Sequence, residues 1–165
     1  MKPPTAAEQS TDTRGVAAQV LARLRAAGTT IAVAESLTGG LLGAELVAVP
    51  GASAVFRGGV LAYATDSKAS VLGVDMALLM AQGPVHPQVA VQMADGVRSL
   101  FEADLALATT GVAGPGPADG HPAGTIYVAC SGVGRTPAVR GHRLAGTRPE
   151  TRAAAVQLAL ALLLD

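Results

Sequence analysis

The stretch IAVAESLTGGLLGAELVAVPG, residues 31–51, contains the pattern that decides the fold. Its first five residues form a short apolar run typical of a buried β-strand. The apolar spacing that follows predicts a helix, with Thr38 as its cap and Pro50-Gly51 as its end. Ser36 therefore lies in a strand-to-helix turn, where a serine is either an ordinary helix cap or a nucleophile.

Strand and helix patterns alternate along the rest of the chain. Further strands are predicted at 60–64, 105–110, 125–131 and 138–145, the last two joined by the turn GVGRTP as an antiparallel hairpin. Further helices are predicted from Val16 to Gly28, from Asp66 or Ser67 to Gly73, from Asp75 to Gly83-Pro84, from Pro87 to Phe101, and after the capping box of Thr147 and Glu150. This order predicts an α/β fold, a three-layer α/β/α sandwich on a mixed β-sheet.

The composition limits the classes of function. Twelve basic and twelve acidic residues cancel, which argues against a nucleic-acid surface and favours a small-molecule ligand. The single cysteine, Cys130, excludes an internal disulfide and a multi-cysteine metal site. We therefore expect no metal and no cofactor.

The two ends of the chain lead to expectations about domains and location. Residues 1–13 are expected to be a disordered tail, and residues 14–165 a single domain. The tail has no signal-peptide pattern, and the apolar C-terminal run VQLALALLLD is too short to span a membrane, so it is expected to be a buried helix. These features lead us to expect a cytoplasmic protein without a membrane partner.

Common catalytic motifs are missing from the sequence. It contains no P-loop, no H-E-x-x-H zinc motif and no strand-linked dinucleotide fingerprint. The histidines His86, His121 and His142 are widely spaced and have no metal-ligand spacing. A Ser-His-Asp triad stays open, but nothing singles out one histidine for it.

The segment YATDSK offers a different base. Tyr63 ends a predicted strand, and Lys68 follows in the first turn of the next helix, so both side chains could face the space beyond the strand ends. A desolvated lysine loses its proton more easily and can act as a general base toward a serine hydroxyl, with Tyr63 as a proton relay. The alternative is a solvated lysine and a tyrosine packed at the sheet edge.

Five motifs together resemble the CinA C-terminal domain family over residues 14–165. They are AESLTGG, YATDSK followed by VLGV, GVAGP, GTIYVA and the G-T-R of GTRPETR, in the family's order. Members of this family look like nicotinamide mononucleotide amidases of the pyridine nucleotide cycle. The resemblance implies hydrolysis of the nicotinamide carboxamide, releasing ammonia and nicotinic acid mononucleotide, and a catalytic set that falls on Ser36, Tyr63 and Lys68.

In this interpretation Ser36 attacks the carboxamide carbon while Lys68, with Tyr63, accepts its proton. The backbone amides around Thr38, Gly39 and Gly40 are expected to lie free at a helix N-terminus and to bind the developing oxyanion. Tight packing of helix on sheet would explain the two glycines equally well.

The substrate's phosphate needs cationic or N–H partners. Arg148, beside the N-terminus of the last helix, is the first candidate. Thr110, Gly111 and Gly114, in and before the Gly-Pro loop, could line the other wall, whereas Arg152 could equally be a surface charge.

Three residues depart from the family's pattern: Thr147, Thr110 and His86, of which His86 is expected beside the site.

The main alternative to an amidase is a non-catalytic nucleotide-binding accessory domain linked to competence or to the response to DNA damage. A phosphotransferase is less well supported, because no pair of metal-binding carboxylates accompanies the Gly-rich loop. We also expect a homo-oligomer, a dimer.

Overall fold

Five strands form one mixed sheet in the computed structural model, which describes residues 6–164 and, for residues 6–12, the backbone alone. The strands are β1 (Ile31–Glu35), β2 (Phe56–Leu61), β3 (Leu105–Gly111), β4 (Thr125–Gly132) and β5 (Arg135–Arg143). Their order across the sheet is β2-β1-β3-β4-β5. Strands β2, β1 and β3 are parallel, whereas β4 and β5 are antiparallel to their neighbours.

Helices cover both faces of this sheet. Within the described residues they are α1 (Ala6–Ala27), α2 (Leu41–Val47), α3 (Thr65–Leu72), α4 (Met76–Gln82), α5 (Pro87–Leu100) and α6 (Arg148–Ala161). Helices α1, α2 and α6 pack together on one face, and α5 covers the other with α3 and α4 beside it. The predicted three-layer α/β/α sandwich is therefore confirmed.

The two faces of the sheet are built from side chains of different size. In β1, Ile31 and Val33 point into the core under α1, α2 and α6, whereas Ala32 and Ala34 point toward α5. Strand β3 repeats the alternation, with Leu107 on the first face and alanines on the second. Because alanine is short, α5 lies close to the sheet, as expected for a core with few aromatic residues.

Several predicted helix ends are confirmed. The carboxylate of Asp75 caps α4 by accepting a hydrogen bond from the N–H of Ala77 at 2.9 Å. Pro87 lies in the first turn of α5, and the capping box of Thr147 and Glu150 opens α6. These ends depend on interactions within a few residues, which a sequence shows directly.

Two strand boundaries differ from the prediction. Strand β2 covers Phe56–Leu61 rather than 60–64. The prediction missed its first residues because Gly58 and Gly59 lie within the strand, and glycine is a poor strand former. A Cβ atom on Gly59 would lie 2.5 Å from the Cγ2 atom of Val33, so the neighbouring strand leaves no room for a side chain there. Strand β5 covers Arg135–Arg143 rather than 138–145, and its proline is tolerated because β5 is an edge strand.

The N-terminal prediction also needs correction. Helix α1 begins at Ala6, so residues 6–13 continue the helix that was expected to start after a disordered tail. Extending an existing helix adds one hydrogen bond per ordered residue, which is far easier than starting a new one. Residues 1–5 of the predicted tail lie outside the described residues.

None of the helices in residues 6–164 is both long enough and apolar enough to cross a membrane.

Candidate active site

A cavity of about 260 Å³ opens beyond the carboxyl ends of β1 and β3. Its walls come from the segments after β1, β2 and β3, the start of α3, the α4–α5 connection and the first residue of α6. Ser36, Lys68 and Arg148 all line it, although they are far apart in the sequence. The parallel part of the sheet therefore brings these three predicted residues to one site.

Lys68 and Ser36 are in direct contact. The Nζ atom of Lys68 lies 3.2 Å from the Oγ atom of Ser36, and the lysine side chain is 1% exposed. Nζ also donates to the backbone oxygens of Ala62 at 2.7 Å and Tyr63 at 3.3 Å. A neutral amine has two N–H bonds and one lone pair, so these two carbonyls would occupy both donors. In that neutral form the lone pair would face the hydroxyl of Ser36, to which the charged ammonium donates a hydrogen bond.

Burial gives Lys68 the protonation behaviour of a base. Desolvation lowers the pKa of Lys68 from 10.5 to about 8, while the negative charge of Asp119 acts in the opposite direction. At pH 7 roughly a tenth of such lysines are neutral, compared with less than about one in a thousand for a free lysine. The predicted desolvation of Lys68 is therefore confirmed.

Backbone contacts hold Ser36 in the predicted strand-to-helix turn. Its N–H donates to the carbonyl oxygen of Thr109 on β3 at 3.0 Å, and its carbonyl oxygen accepts from the N–H of Gly39 at 3.2 Å. The side chain is nearly buried but reaches the cavity. The serine hydroxyl is thus fixed between the cavity and Lys68.

The helix N-terminus after Ser36 is not free, contrary to our expectation. The N-cap of α2 is Gly40, and the hydroxyl of Thr38 pairs instead with that of Thr109 at 2.8 Å. The N–H of Gly39 bonds within the turn, and the N–H of Gly40 donates to a carboxylate oxygen of Glu35 at 3.0 Å. The expectation that the amides of Gly39 and Gly40 bind an oxyanion is therefore wrong, because protein groups already occupy them.

Glu35 is a site residue that the sequence reasoning missed. Its carboxylate is 2% exposed and accepts hydrogen bonds from the N–H groups of Gly40, Leu42 and Gly43, at 3.0, 3.1 and 2.8 Å. A negative charge is favourable at a helix N-terminus, so Glu35 replaces the predicted Thr38 cap. The sequence did contain a signal for this role, because Glu35 is an acidic residue at the end of a buried strand and directly before a glycine-rich turn.

Arg152 holds the same turn from its other side. Its Nε and Nη2 atoms donate to the backbone oxygens of Leu37 at 2.9 Å and Thr38 at 2.8 Å. It is therefore not simply a surface charge.

The backbone amides directly after Ser36 have no acceptor within residues 6–164. In the part of the chain that the structure describes, the N–H groups of Leu37 and Thr38 donate no hydrogen bond, and Leu37 lines the cavity.

Tyr63 and Arg148 form a pair at the mouth of the cavity. The Nη2 atom of Arg148 donates to the hydroxyl oxygen of Tyr63 at 3.2 Å, and Nη1 donates to the carbonyl oxygen of Gly114 at 2.9 Å. The tyrosine side chain is 65% exposed and meets Lys68 only through its backbone oxygen. A direct proton relay through the Tyr63 hydroxyl, as predicted, is not what this arrangement provides.

The remaining predicted binding residues divide into two groups. Gly111 and Gly114 line the cavity, whereas Thr110 does not; its buried hydroxyl donates to the carbonyl oxygen of Pro84 at 2.7 Å. His86 does not line the cavity either, because its Nδ1 atom caps α5 by accepting from the N–H of Gln88 at 3.2 Å. Thr110 and His86 are therefore scaffold residues, not cavity residues.

A comparison with protein families gives a match over nearly the whole chain. The family model of the CinA C-terminal domain matches residues 13–165. The chain belongs to this family. A CinA-like protein from Frankia casuarinae is 52% identical over 143 residues, which is 87% of this chain and 33% of the relative. The chain thus spans about a third of the length of that curated relative.

Solved structures of the CinA superfamily have the same fold. The competence/damage inducible protein CihA from Agrobacterium tumefaciens superposes with a TM-score of 0.89 at 32% identity, covering 99% of this chain and 98% of the other. A CinA superfamily protein from Escherichia coli also gives a TM-score of 0.89 at 32% identity, covering 99% and 94%.

Replacing Lys68 should reveal its lowered pKa in the stability of the protein. Between about pH 8 and 10.5 the unfolded chain binds a proton that folded Lys68 has lost, so stability rises with pH in that window. We predict that the free energy of unfolding of the parent rises relative to Lys68→Met across this range. Urea unfolding at pH 7, 8, 9 and 10 measures it, and a constant difference between the two proteins would contradict it.

Glu35→Gln should destabilise the protein, because an amide cannot accept three N–H bonds as a carboxylate does, and its own NH₂ group faces those donors. We expect a loss of about 1–3 kcal/mol in the free energy of unfolding. Glu45→Gln is the matched control, since Glu45 lies on α2 and its nearest charge partner, Arg14, is 3.9 Å away. Equal losses in the two variants would show that the Glu35 bonds contribute nothing specific.

Proposed function

We propose that this protein is an amidohydrolase that converts nicotinamide mononucleotide into nicotinic acid mononucleotide and ammonia. The observation that carries the proposal is the 3.2 Å contact between Lys68 Nζ and Ser36 Oγ at the wall of the cavity. A serine next to a lysine of lowered pKa is a nucleophile next to its base. The choice of substrate rests on the resemblance of the sequence motifs to the family's amidases.

The reaction proceeds in two halves. Neutral Lys68 accepts the proton of Ser36 as Oγ bonds to the carboxamide carbon, and the protonated amine then gives that proton to the departing ammonia. A water molecule attacks the acyl-enzyme, loses its proton to Lys68, and Ser36 leaves with a proton returned from the lysine. The net reaction consumes one water and releases one ammonia.

The oxyanion of each tetrahedral intermediate needs N–H donors. The N–H of Leu37 fits this role best, because it follows the nucleophile directly, belongs to a cavity residue and has no protein acceptor in the described residues. Arg152 binds the carbonyl oxygens of Leu37 and Thr38, so the guanidinium keeps these peptide groups in one orientation. Arg152 and Glu35 are therefore positioning residues in this mechanism.

Arg148 is the candidate partner of the substrate's phosphate. It is exposed at the mouth of the cavity and lies in the first turn of α6, where the helix dipole also favours an anion. Its bonds to Tyr63 and Gly114 hold the guanidinium in place before substrate arrives. In this proposal Tyr63 acts in phosphate binding, because its hydroxyl orients Arg148.

A nucleotide-binding accessory domain is the second candidate function. Relatives carry the words competence and damage-inducible in their names, and this chain corresponds to about a third of one curated relative. Such a domain would bind the nucleotide in the same cavity without hydrolysing it.

A homodimer and a cytoplasmic location stay predictions from the sequence.

The proposal predicts that the purified protein releases ammonia from nicotinamide mononucleotide without ATP or added metal. Ser36→Ala should abolish this release while the nucleotide still binds. Lys68→Arg should lose at least ~100-fold in kcat, because a guanidinium does not deprotonate. The kcat of the parent should rise with pH through a pKa of about 8.

Ser70→Ala is the control for these variants, since Ser70 is exposed on α3 and lies outside the cavity. Tight binding without ammonia release in the parent would support the accessory domain instead. Substantial activity of Lys68→Arg would mean that Lys68 contributes only charge.

Arg148→Ala should raise the KM for the nucleotide by at least about tenfold and change kcat little, since a phosphate contact is shared by ground and transition states. Arg143→Ala, an exposed arginine at the end of β5, should leave both constants unchanged. Steady-state kinetics at constant ionic strength compares them. A loss confined to kcat would remove Arg148 from substrate binding.

A further inference from the structure

The cavity contains one acidic side chain, which has no part in the proton transfers described above. Of the residues lining it in the described part of the chain, the charged ones are Lys68, Arg148 and Asp119. The carboxylate of Asp119 is exposed, and no other group in residues 6–164 forms a hydrogen bond or ion pair with it. A free carboxylate in a site for a phosphorylated substrate would repel that substrate unless it meets a positive charge.

A tight turn holds Asp119 at the wall of the cavity. Ala118 and His121 exchange backbone hydrogen bonds of 3.0 and 2.9 Å, and Asp119 and Gly120 between them have φ angles of 52° and 75°. Two central residues with positive φ are characteristic of a type I′ turn, for which Asp-Gly and Asn-Gly are the favoured pairs. The turn would accept asparagine equally well, so its geometry alone does not require a negative charge.

Asp119 lines the same cavity as Lys68 and Ser36. It is the side chain whose negative charge opposes the effect of burial on Lys68. Arg148 lies at the mouth of the same cavity, bonded to Tyr63 and Gly114. The cavity thus has a negative group whose charge acts on Lys68, the neighbour of Ser36, and a positive group that is bonded to Tyr63 and Gly114.

This layout matches a substrate with two opposite charges. In a nicotinamide nucleotide the ring nitrogen carries a positive charge close to the carboxamide, and the phosphate lies at the far end of the ribose. With the carboxamide at Ser36 and the phosphate at Arg148, the ring lies deeper in the cavity than the phosphate does. The ring is then the part of the substrate that a carboxylate near Lys68 would face.

We propose that Asp119 is a specificity-determining residue that selects nucleotides with a cationic pyridinium ring over nucleotides with a neutral ring. The inference rests on the proposed function for the orientation of the substrate in the cavity. An exposed pair of opposite charges contributes about 1 kcal/mol, which corresponds to roughly a fivefold difference in affinity. The contribution decreases with added salt, because the carboxylate is exposed to solvent.

The test measures binding without turnover, in the Ser36→Ala background. Isothermal titration compares nicotinamide mononucleotide, whose ring is cationic, with its reduced form, whose dihydropyridine ring is neutral. Asp119→Asn should weaken binding of the cationic nucleotide by roughly fivefold and leave the neutral one within about twofold. The difference should shrink between 50 mM and 500 mM NaCl, concentrations chosen to bring the Debye length from about 14 Å to about 4 Å.

The variants separate charge from structure. Asparagine suits the same turn, so Asp119→Asn should keep the parent's circular dichroism and melting temperature. Asp66→Asn, which removes an exposed carboxylate of α3 outside the cavity, should leave both affinities unchanged. Equal weakening of both nucleotides, no weakening of either, or no binding of the cationic nucleotide would overturn the inference.

Ammonia release by the parent separates the two proposals. If the parent releases ammonia but Asp119→Asn keeps its preference for the cationic ring, the proposed function stands and the role of Asp119 fails. If the parent releases none while Asp119→Asn loses that preference, the role of Asp119 in selecting the cationic ring stands and the hydrolytic function fails.

Discussion

The burial of the Lys68 amine against Ser36 is the interaction on which the rest of the site depends. An ammonium group in this position loses solvation, and the protein compensates with the carbonyl oxygens of Ala62 and Tyr63. Burial outweighs this compensation and lowers the pKa of the amine to about 8. In the proposed mechanism, the burial that is costly for this lysine also allows it to act as a base near neutral pH.

The proposed mechanism requires Ser36 to stay beside Lys68, and the turn after β1 holds it there. Glu35 bonds three backbone N–H groups on one side of the turn, and Arg152 bonds two carbonyl oxygens on the other. Backbone donors and acceptors that would otherwise be unpaired are thereby matched with charged partners. The turn is held by side chains from β1 and α6, two elements that are distant in the sequence.

The cavity holds charges of both signs. Lys68 lies buried beside Ser36 and is acted on by the charge of Asp119, and Arg148 lines the cavity with Tyr63. A substrate with a cationic ring and an anionic phosphate would meet a group of opposite charge at each end. Orientation of the substrate would then follow from electrostatics as well as from shape.

The order of the elements, the α/β class and the helix ends at Asp75, Pro87 and Thr147 could be predicted from the sequence. These features depend on contacts within a few residues or on periodic burial. The roles of Ser36 and Lys68 stay predictions, which rest on the resemblance of the motifs to the family. Tertiary structure alone decided that Glu35 caps α2 in place of Thr38, and that Arg152 is a structural group. Each of these assignments depends on which distant groups compete for the same hydrogen bonds, and that competition exists only when the sheet and helices are assembled.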